Sequence, residues 1–299
     1  MTLFSETCHF ITGPTASGKT ATALELAERL HAEILSMDAY AIYRGMDIGT
    51  AKPTREERQR VPHHLIDIVE PTEEFSVADY LQAAETAVRD ILARGKTPLF
   101  VGGTPLYLKS LIFGLFDGPP TDKALREQLR NEAEQAALAG DETFLHRRLE
   151  QVDPMAAARI HANDTKRLVR ALEVFQLTGR PIHDFQTQFD RKIPAEVQQR
   201  IQLISPPRHV LHERIERRVD AMFEAGLLEE VAGLQARYGT LSMTAEAAVG
   251  YREVFAFLEA EKRGEHPSLD ALKDEIKAHT RQLAKRQITW FRSLLDGVI

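Results

Sequence analysis

The chain is poor in cysteine: Cys8 is the only one among 299 residues. One thiol cannot build an internal disulfide framework, so a reducing compartment, the cytoplasm, is expected. Long apolar runs are missing as well. No stretch of about eighteen apolar residues occurs, so no membrane span is expected. The N-terminus lacks a basic stretch followed by an apolar one, and no secretory leader is expected. A basic excess is also absent, because the net charge is −6. A nucleic-acid partner would have to be met by a local basic face, not by the overall field.

What is present suffices for a core. A chain of this length with 43% hydrophobic residues buries most of its apolar surface without covalent staples. "CHFITG" reads as a short buried strand ending at Gly13. Residues 18–31 follow as a helix with Leu24, Ala27 and Leu30 at helical spacing. "AEILSMDAY" reads as a second strand with Asp38 at its end. The next helix runs from a Ser76 cap to a stop at Gly95. "TPLFVGGT" is a third strand, apolar without alternation.

Strands alternating with helices predict an α/β fold, a P-loop parallel sheet with helices on both faces. Pro119-Pro120 break this pattern, and 122 to about 185 reads as helix. "VQQRIQLISPP" returns to strand, and long helices follow to the end. The expectation is a catalytic core of 1–120 and 191–299 with an all-helical insertion at 121–190.

Gly13-Pro14-Thr15-Ala16-Ser17-Gly18-Lys19-Thr20 matches the spacing of a phosphate-gripping loop. The glycines let backbone N–H groups curl around an anion, and the helix that follows points its positive end there. Lys19 adds a mobile charge, and Thr20 offers a hydroxyl to Mg²⁺. Such a loop specifies phosphates, not the molecule that bears them. A nucleotide hydrolase places an acid after an apolar strand to hold its metal, yet "PLFVGG" ends in glycines. Asp38 is the acid on offer instead. Phosphoryl transfer to a small metabolite and attack on a carbon bearing diphosphate both remain open here, as does a non-catalytic RNA-binding scaffold.

Longer strings then enter. "SMDAYAIYRGMDIGTAKP" (36–53), "PHHLIDIVEP" (62–71), "LFVGGTPLYLKSLIFGL" (99–115), "VDPMAAARIHANDTKRLVRALEV" (152–174), "GYREV" (250–254) and "TRQLAKRQITWFR" (280–292) together resemble the tRNA dimethylallyltransferase family, also called tRNA isopentenyltransferase or IPP transferase. The resemblance spans nearly the whole chain, in order. It implies transfer of a dimethylallyl group from dimethylallyl diphosphate to N6 of the adenosine 3′ of the anticodon, with Mg²⁺ assisting. The loop then grips a leaving group. Asp38 fits a general base for a poorly nucleophilic amine. The resemblance adds Thr104 and Arg218 to the catalytic set, with Lys19 and the loop amides as donors to the departing diphosphate.

The target base must leave its stack to expose N6. By resemblance, the anticodon stem-loop of tRNA would meet Asp38, Ala39, Tyr40 and Ala41, Thr104, and Gly250-Tyr251-Arg252. Lys166, Arg167, Leu168, Val169 and Arg170 would meet it from the insertion, with Arg126 a weaker candidate. Lys285, Arg286, Gln287 and Arg292 complete the set. In the last helix, Lys277, Arg281, Lys285 and Arg292 share an arc of about 80°, while Ile276, Leu283 and Trp290 are expected on the core side. Three residues depart from the family pattern: Ala39, Pro105 and Ala247. A monomer with no obligate protein partner is expected.

Overall fold

A computed structural model describes residues 2–115, 118–186 and 192–295. The chain opens with α1 (Leu3–Thr7), β1 (His9–Thr12), α2 (Lys19–Leu30), β2 (Ala32–Ser36), α3 (Arg55–Arg60), β3 (His63–His64), α4 (Val77–Ala93), β4 (Thr97–Gly102) and α5 (Pro105–Phe113). Five further helical segments follow: α6 (Lys123–Leu138), α7 (Phe144–Val152), α8 (Pro154–Ala157), α9 (Thr165–Thr178) and a 3₁₀ turn at Ile182–Asp184. The chain then makes α10 (Ala195–Gln198), β5 (Ile201–Leu203), α11 (Arg208–Glu224), α12 (Leu227–Tyr238), α13 (Met243–Glu246), α14 (Tyr251–Lys262) and α15 (Leu269–Leu294). No helix among the described residues is long and apolar enough to cross a membrane.

These elements divide into two units, Met1–Phe113 with Ile193–Ile299, and Gly114–Lys192. The first holds an all-parallel sheet in the order β3-β2-β4-β1-β5. Alternation along each strand sorts the apolar residues by face. Ile11, Ile34 and Leu99 face α2, which buries Ala23, Leu24 and Ala27 against them. Phe10, Leu35 and Phe100 face the other way, against Tyr80, Ala84, Val88 and Ile91 of α4. Each fully buried side chain of this size contributes roughly 1.5–3 kcal/mol. Ser76 caps α4 by accepting from Asp79 N, as the sequence predicts. A second cluster joins Ile42, Tyr43 and Met46 to Val219, Leu227, Val231, Tyr251 and Ile276. It fastens the long loop after β2 to the C-terminal helices.

The Gly114–Lys192 unit is helical around Leu129, Leu145, Leu149, Leu168, Val169 and Leu172. Its polar centre is Glu173, whose side chain is 0% exposed. Arg126 reaches it with two hydrogen bonds of 2.9 Å, Arg170 adds one, and Asp122 N donates at 2.8 Å. Burial alone would raise this carboxyl's pKa, but the bonds from Arg126 and Arg170 outweigh it and hold the group below its ordinary value.

Two local expectations fail for physical reasons, and one short strand goes unforeseen. "VQQ" (197–199) belongs to α10 and its cap, and strand begins only at Ile201. The two-residue β3 is too short to show periodicity, and pairs with β2 by tertiary contact. Trp290 does not face the core: it is 40% exposed, while Ile276, Thr280, Ala284 and Phe291 take the buried stripe of α15. Pro105, one departure from the family pattern, is the first residue of α5, where its missing N–H costs nothing.

Candidate active site

Three neighbouring strands, β2, β4 and β1, end side by side. Their C-terminal ends deliver Asp38, Gly103-Thr104 and the phosphate loop to one place, as open parallel sheets do. The ladder continues past the strands, with Met37 N donating to Val101 O at 2.8 Å and Thr104 N to Met37 O at 3.3 Å. Gly103 permits the closeness: a Cβ there would lie 3.1 Å from Gly13 O and 2.9 Å from Gln287 Nε2.

Two cavities open over these ends. The first, of about 310 Å³, is walled by Thr15 to Thr20, Asp38, Lys52, His63, Gly103, Arg214 and Arg218. The second, of about 260 Å³, is walled by Asp38 to Tyr40, Thr104, Val219, Met222, Ala248, Ile276 and Leu283. Thr15, Asp38, Thr50, Gly103, Arg218 and Gln287 line both. The first is cationic and polar at its loop end; the second is largely apolar.

The charges are tightly placed. Lys19 Nζ folds back on its own loop, donating to Gly13 O at 3.0 Å and Pro14 O at 2.8 Å. Burial, then Arg218, lower its pKa to about 8, against a smaller opposing pull from Asp38. Arg218 is likewise held below its ordinary value by burial, with Asp38 acting the other way. Ser17 Oγ is buried with no hydrogen-bond partner among the described residues. Asp38 Oδ1 accepts from Tyr40 N at 2.9 Å and Ala41 N at 3.3 Å. The carboxylate thus caps the next turn and lines the cavity at once; its two oxygens allow both uses. Thr104 Oγ1 accepts from Ala39 N at 3.2 Å, so the departure at Ala39 keeps its backbone tie.

The structure brings together the phosphate loop, Asp38 to Ala41, Thr104 and Arg218. Two side chains join them that sequence reasoning gave no phosphate role. Arg214, one turn before Arg218, donates from Nη1 to Ser17 O at 2.9 Å; the i, i+4 spacing was the available signal. Gln287, expected at RNA, accepts from Thr15 N at 2.8 Å and donates to Gly103 O at 2.7 Å.

Leu168 and Val169 are in the core of the Gly114–Lys192 unit, so their side chains cannot meet a nucleic acid there. Arg126 and Arg170 are committed to Glu173. Tyr251 is fully buried, and Gly250 N donates to Glu253 at 2.7 Å. Exposed cations with no ion pair among the described residues remain at Lys166, Lys285, Arg286 and Arg292, while exposed Arg167 pairs with Asp164 at 3.3 Å and exposed Arg252 with buried Glu253 at 2.5 Å.

A loop of phosphate-binding pattern at the C-terminal edge of a parallel sheet, with a largely apolar second cavity beside it, defines a P-loop α/β protein. The family model described as IPP transferase matches residues 41–294, and that of isopentenyl transferase matches 6–74. The chain belongs to the IPP transferase family. It is 49% identical over 294 residues to a tRNA dimethylallyltransferase of Rhodopirellula baltica, covering 96% of this chain and 85% of that one. A relative of the same description from Geobacter metallireducens is 49% identical over 283 residues, covering 94% and 88%. Among solved structures, the tRNA isopentenylpyrophosphate transferase of Bacillus halodurans is similar at 39% identity and a TM-score of 0.64, covering 96% of this chain and 87% of that one. A eukaryotic dimethylallyltransferase crystallised acting on tRNA gives a TM-score of 0.75 at 27% identity, covering 98% and 72%.

Proposed function

We propose that this enzyme transfers the dimethylallyl group of dimethylallyl diphosphate to N6 of the adenosine 3′ of the anticodon in tRNA, releasing diphosphate. The observation that carries this reading is the pair of cavities meeting at Asp38, Thr50, Arg218 and Gln287. One suits a diphosphate, and the other suits a prenyl chain and a flipped base.

In this reading the N6 lone pair attacks the first carbon of the dimethylallyl group. The carbon–oxygen bond breaks, and the diphosphate leaves with its electrons. The N6 proton passes to the Asp38 carboxylate. Lys19, Arg218 and the loop amides hold the charge that grows on the leaving group. Arg218 suits that post because its planar fork grips phosphate oxygens in pairs.

A divalent ion, Mg²⁺, when bound would supply further positive charge to the phosphate oxygens. Among the described residues no three His, Cys, Asp or Glu gather to cage a metal. The site therefore fits an ion held mainly by the diphosphate and water, with the Thr20 hydroxyl, which lines the first cavity, as the protein ligand. Exposed Lys166, Arg167, Arg252, Lys285, Arg286 and Arg292 are the proposed phosphate contacts to the anticodon stem-loop.

Labelled dimethylallyl diphosphate, Mg²⁺ and an unmodified anticodon stem-loop test the reaction directly. Label on adenosine N6 is expected. ATP turnover on a metabolite, or RNA binding without transfer, would refute it. Asp38→Ala should lower kcat about 10²–10⁴-fold with stem-loop affinity changed far less; equal losses in both would reject the general-base role.

A further inference from the structure

The Gly250-Tyr251-Arg252 stretch is expected at the RNA, yet its tyrosine points into the protein. The Tyr251 hydroxyl donates to Glu230 Oε1 at 2.5 Å. The same carboxylate gathers three consecutive backbone amides from the loop after β2: Oε2 accepts from Asp47 N at 3.0 Å and Ile48 N at 2.8 Å, and Oε1 from Gly49 N at 3.4 Å. Successive amides around one anion form a concave cradle of charge-assisted bonds. The Tyr251 ring closes its floor, since a Cβ on Gly49 would come 2.3 Å from ring carbon Cε2. Only a glycine can lie flat there.

The residue after this cradle is Thr50. It lines both cavities, and its carbonyl accepts from Arg218 Nη2 at 3.4 Å. Arg218 has no ion pair among the described residues, so this carbonyl and the field of Asp38 orient its guanidinium. The loop is pinned a second time by Lys52, which pairs with the Asp47 carboxylate at 2.7 Å and with Asp67 at 2.6 Å. Glu230 itself lines neither cavity. It can reach the chemistry only through the loop.

We propose that Glu230 and Tyr251 are positioning residues: together they latch residues 47–50 so that Thr50 aims Arg218 at the diphosphate. This rests on the proposed reaction for its kinetic consequence, though not for its binding consequence. The latch gives "GYREV" a role in the diphosphate seat, through a residue in α12 that no phosphate motif contains.

The test uses the full chain with Tyr251→Phe, which keeps the ring, and Glu230→Gln, which keeps one acceptor oxygen. Calorimetry with inorganic diphosphate reads the seat alone. Both variants should bind it about tenfold more weakly, the size expected when a donor loses its preorganised aim. The KM for dimethylallyl diphosphate should rise in parallel, stem-loop affinity should stay within about twofold, and Glu230→Asp should restore part of the loss. Diphosphate affinity unchanged in both variants, with only a lower melting temperature, would reduce the latch to a structural brace and overturn the proposal. So would a loss confined to stem-loop affinity. A wild-type chain that binds diphosphate but transfers nothing would refute the reaction alone, and the calorimetry would still decide the latch.

Discussion

The two halves of α15 treat their cations differently. In the first half, Lys277 pairs with Asp220 at 2.7 Å and Arg281 with Glu216 at 3.3 Å, both acids belonging to α11. In the second half, Lys285, Arg286 and Arg292 are exposed, and no ion pair among the described residues involves them. A stripe that looks uniform on a helical wheel is therefore two things. One end fastens α15 to α11; the other stays exposed. The Gly114–Lys192 unit repeats the contrast on one helix: Arg170 goes to buried Glu173, while Lys166 stays exposed. Whether a cation is available for binding depends on which acids the fold brings to it, not on the cations beside it in sequence.

The largest effect is expected at Lys19, the cation folded onto the phosphate loop. Lys19→Met should lower transfer about 10²–10³-fold while leaving stem-loop affinity unchanged. Its titration gives a second handle. Free Lys19 has its pKa lowered to about 8, and a bound diphosphate must raise it. Binding above that pH therefore takes up a proton, and diphosphate affinity should fall as pH rises through about 8, approaching tenfold per pH unit. Calorimetry in buffers of differing ionisation heat should detect the proton, and Lys19→Met should flatten the profile. A flat wild-type profile would remove Lys19 from the seat.

Next in size is Arg126→Ala. It strips Glu173 of its bidentate partner, and breaking a buried pair costs about 3–5 kcal/mol, less here because Arg170 remains. Thermal unfolding should show the loss, and direct RNA affinity of the folded variant should change little. Lys285→Ala with Arg286→Ala should instead leave the fold intact, weaken stem-loop binding and reduce its salt slope by about 1–2. The smallest effect is expected at Lys277→Ala, with under about 1 kcal/mol of stability lost and RNA binding unchanged. If Lys277→Ala weakened RNA binding as much as the Lys285 and Arg286 pair, the two halves of α15 would be equivalent and the contrast would fail.

Much of the core was legible before any coordinates. The strands at 9–12, 32–36 and 97–102 show as apolar runs because both faces of a parallel sheet are buried. The phosphate loop shows because its backbone curl demands glycine and lysine at fixed spacing. Asp38 and Thr104 were found because they follow those strands. Arg214 and Glu230 were missed, and the tie of Gln287 to the phosphate loop was not foreseen, for a common reason: each makes its contact from a helix distant in sequence, and no local spacing records such an approach. Trp290 was misplaced because α15 is buried along a narrow stripe set by α5, α11 and α14, not by its own apolar residues.

By itself, then, the sequence determined the phosphate-loop pattern, the strands that carry it and the acid beside it, because each depends on backbone conformation over a few consecutive residues. Tertiary structure alone decided which cations are spent on internal acids, which amide clamps the phosphate loop to Gly103, and which carboxylate holds residues 47–49. Those choices rest largely on contacts of side chains with side chains or backbone groups tens to hundreds of residues away, where only packing sets the distance.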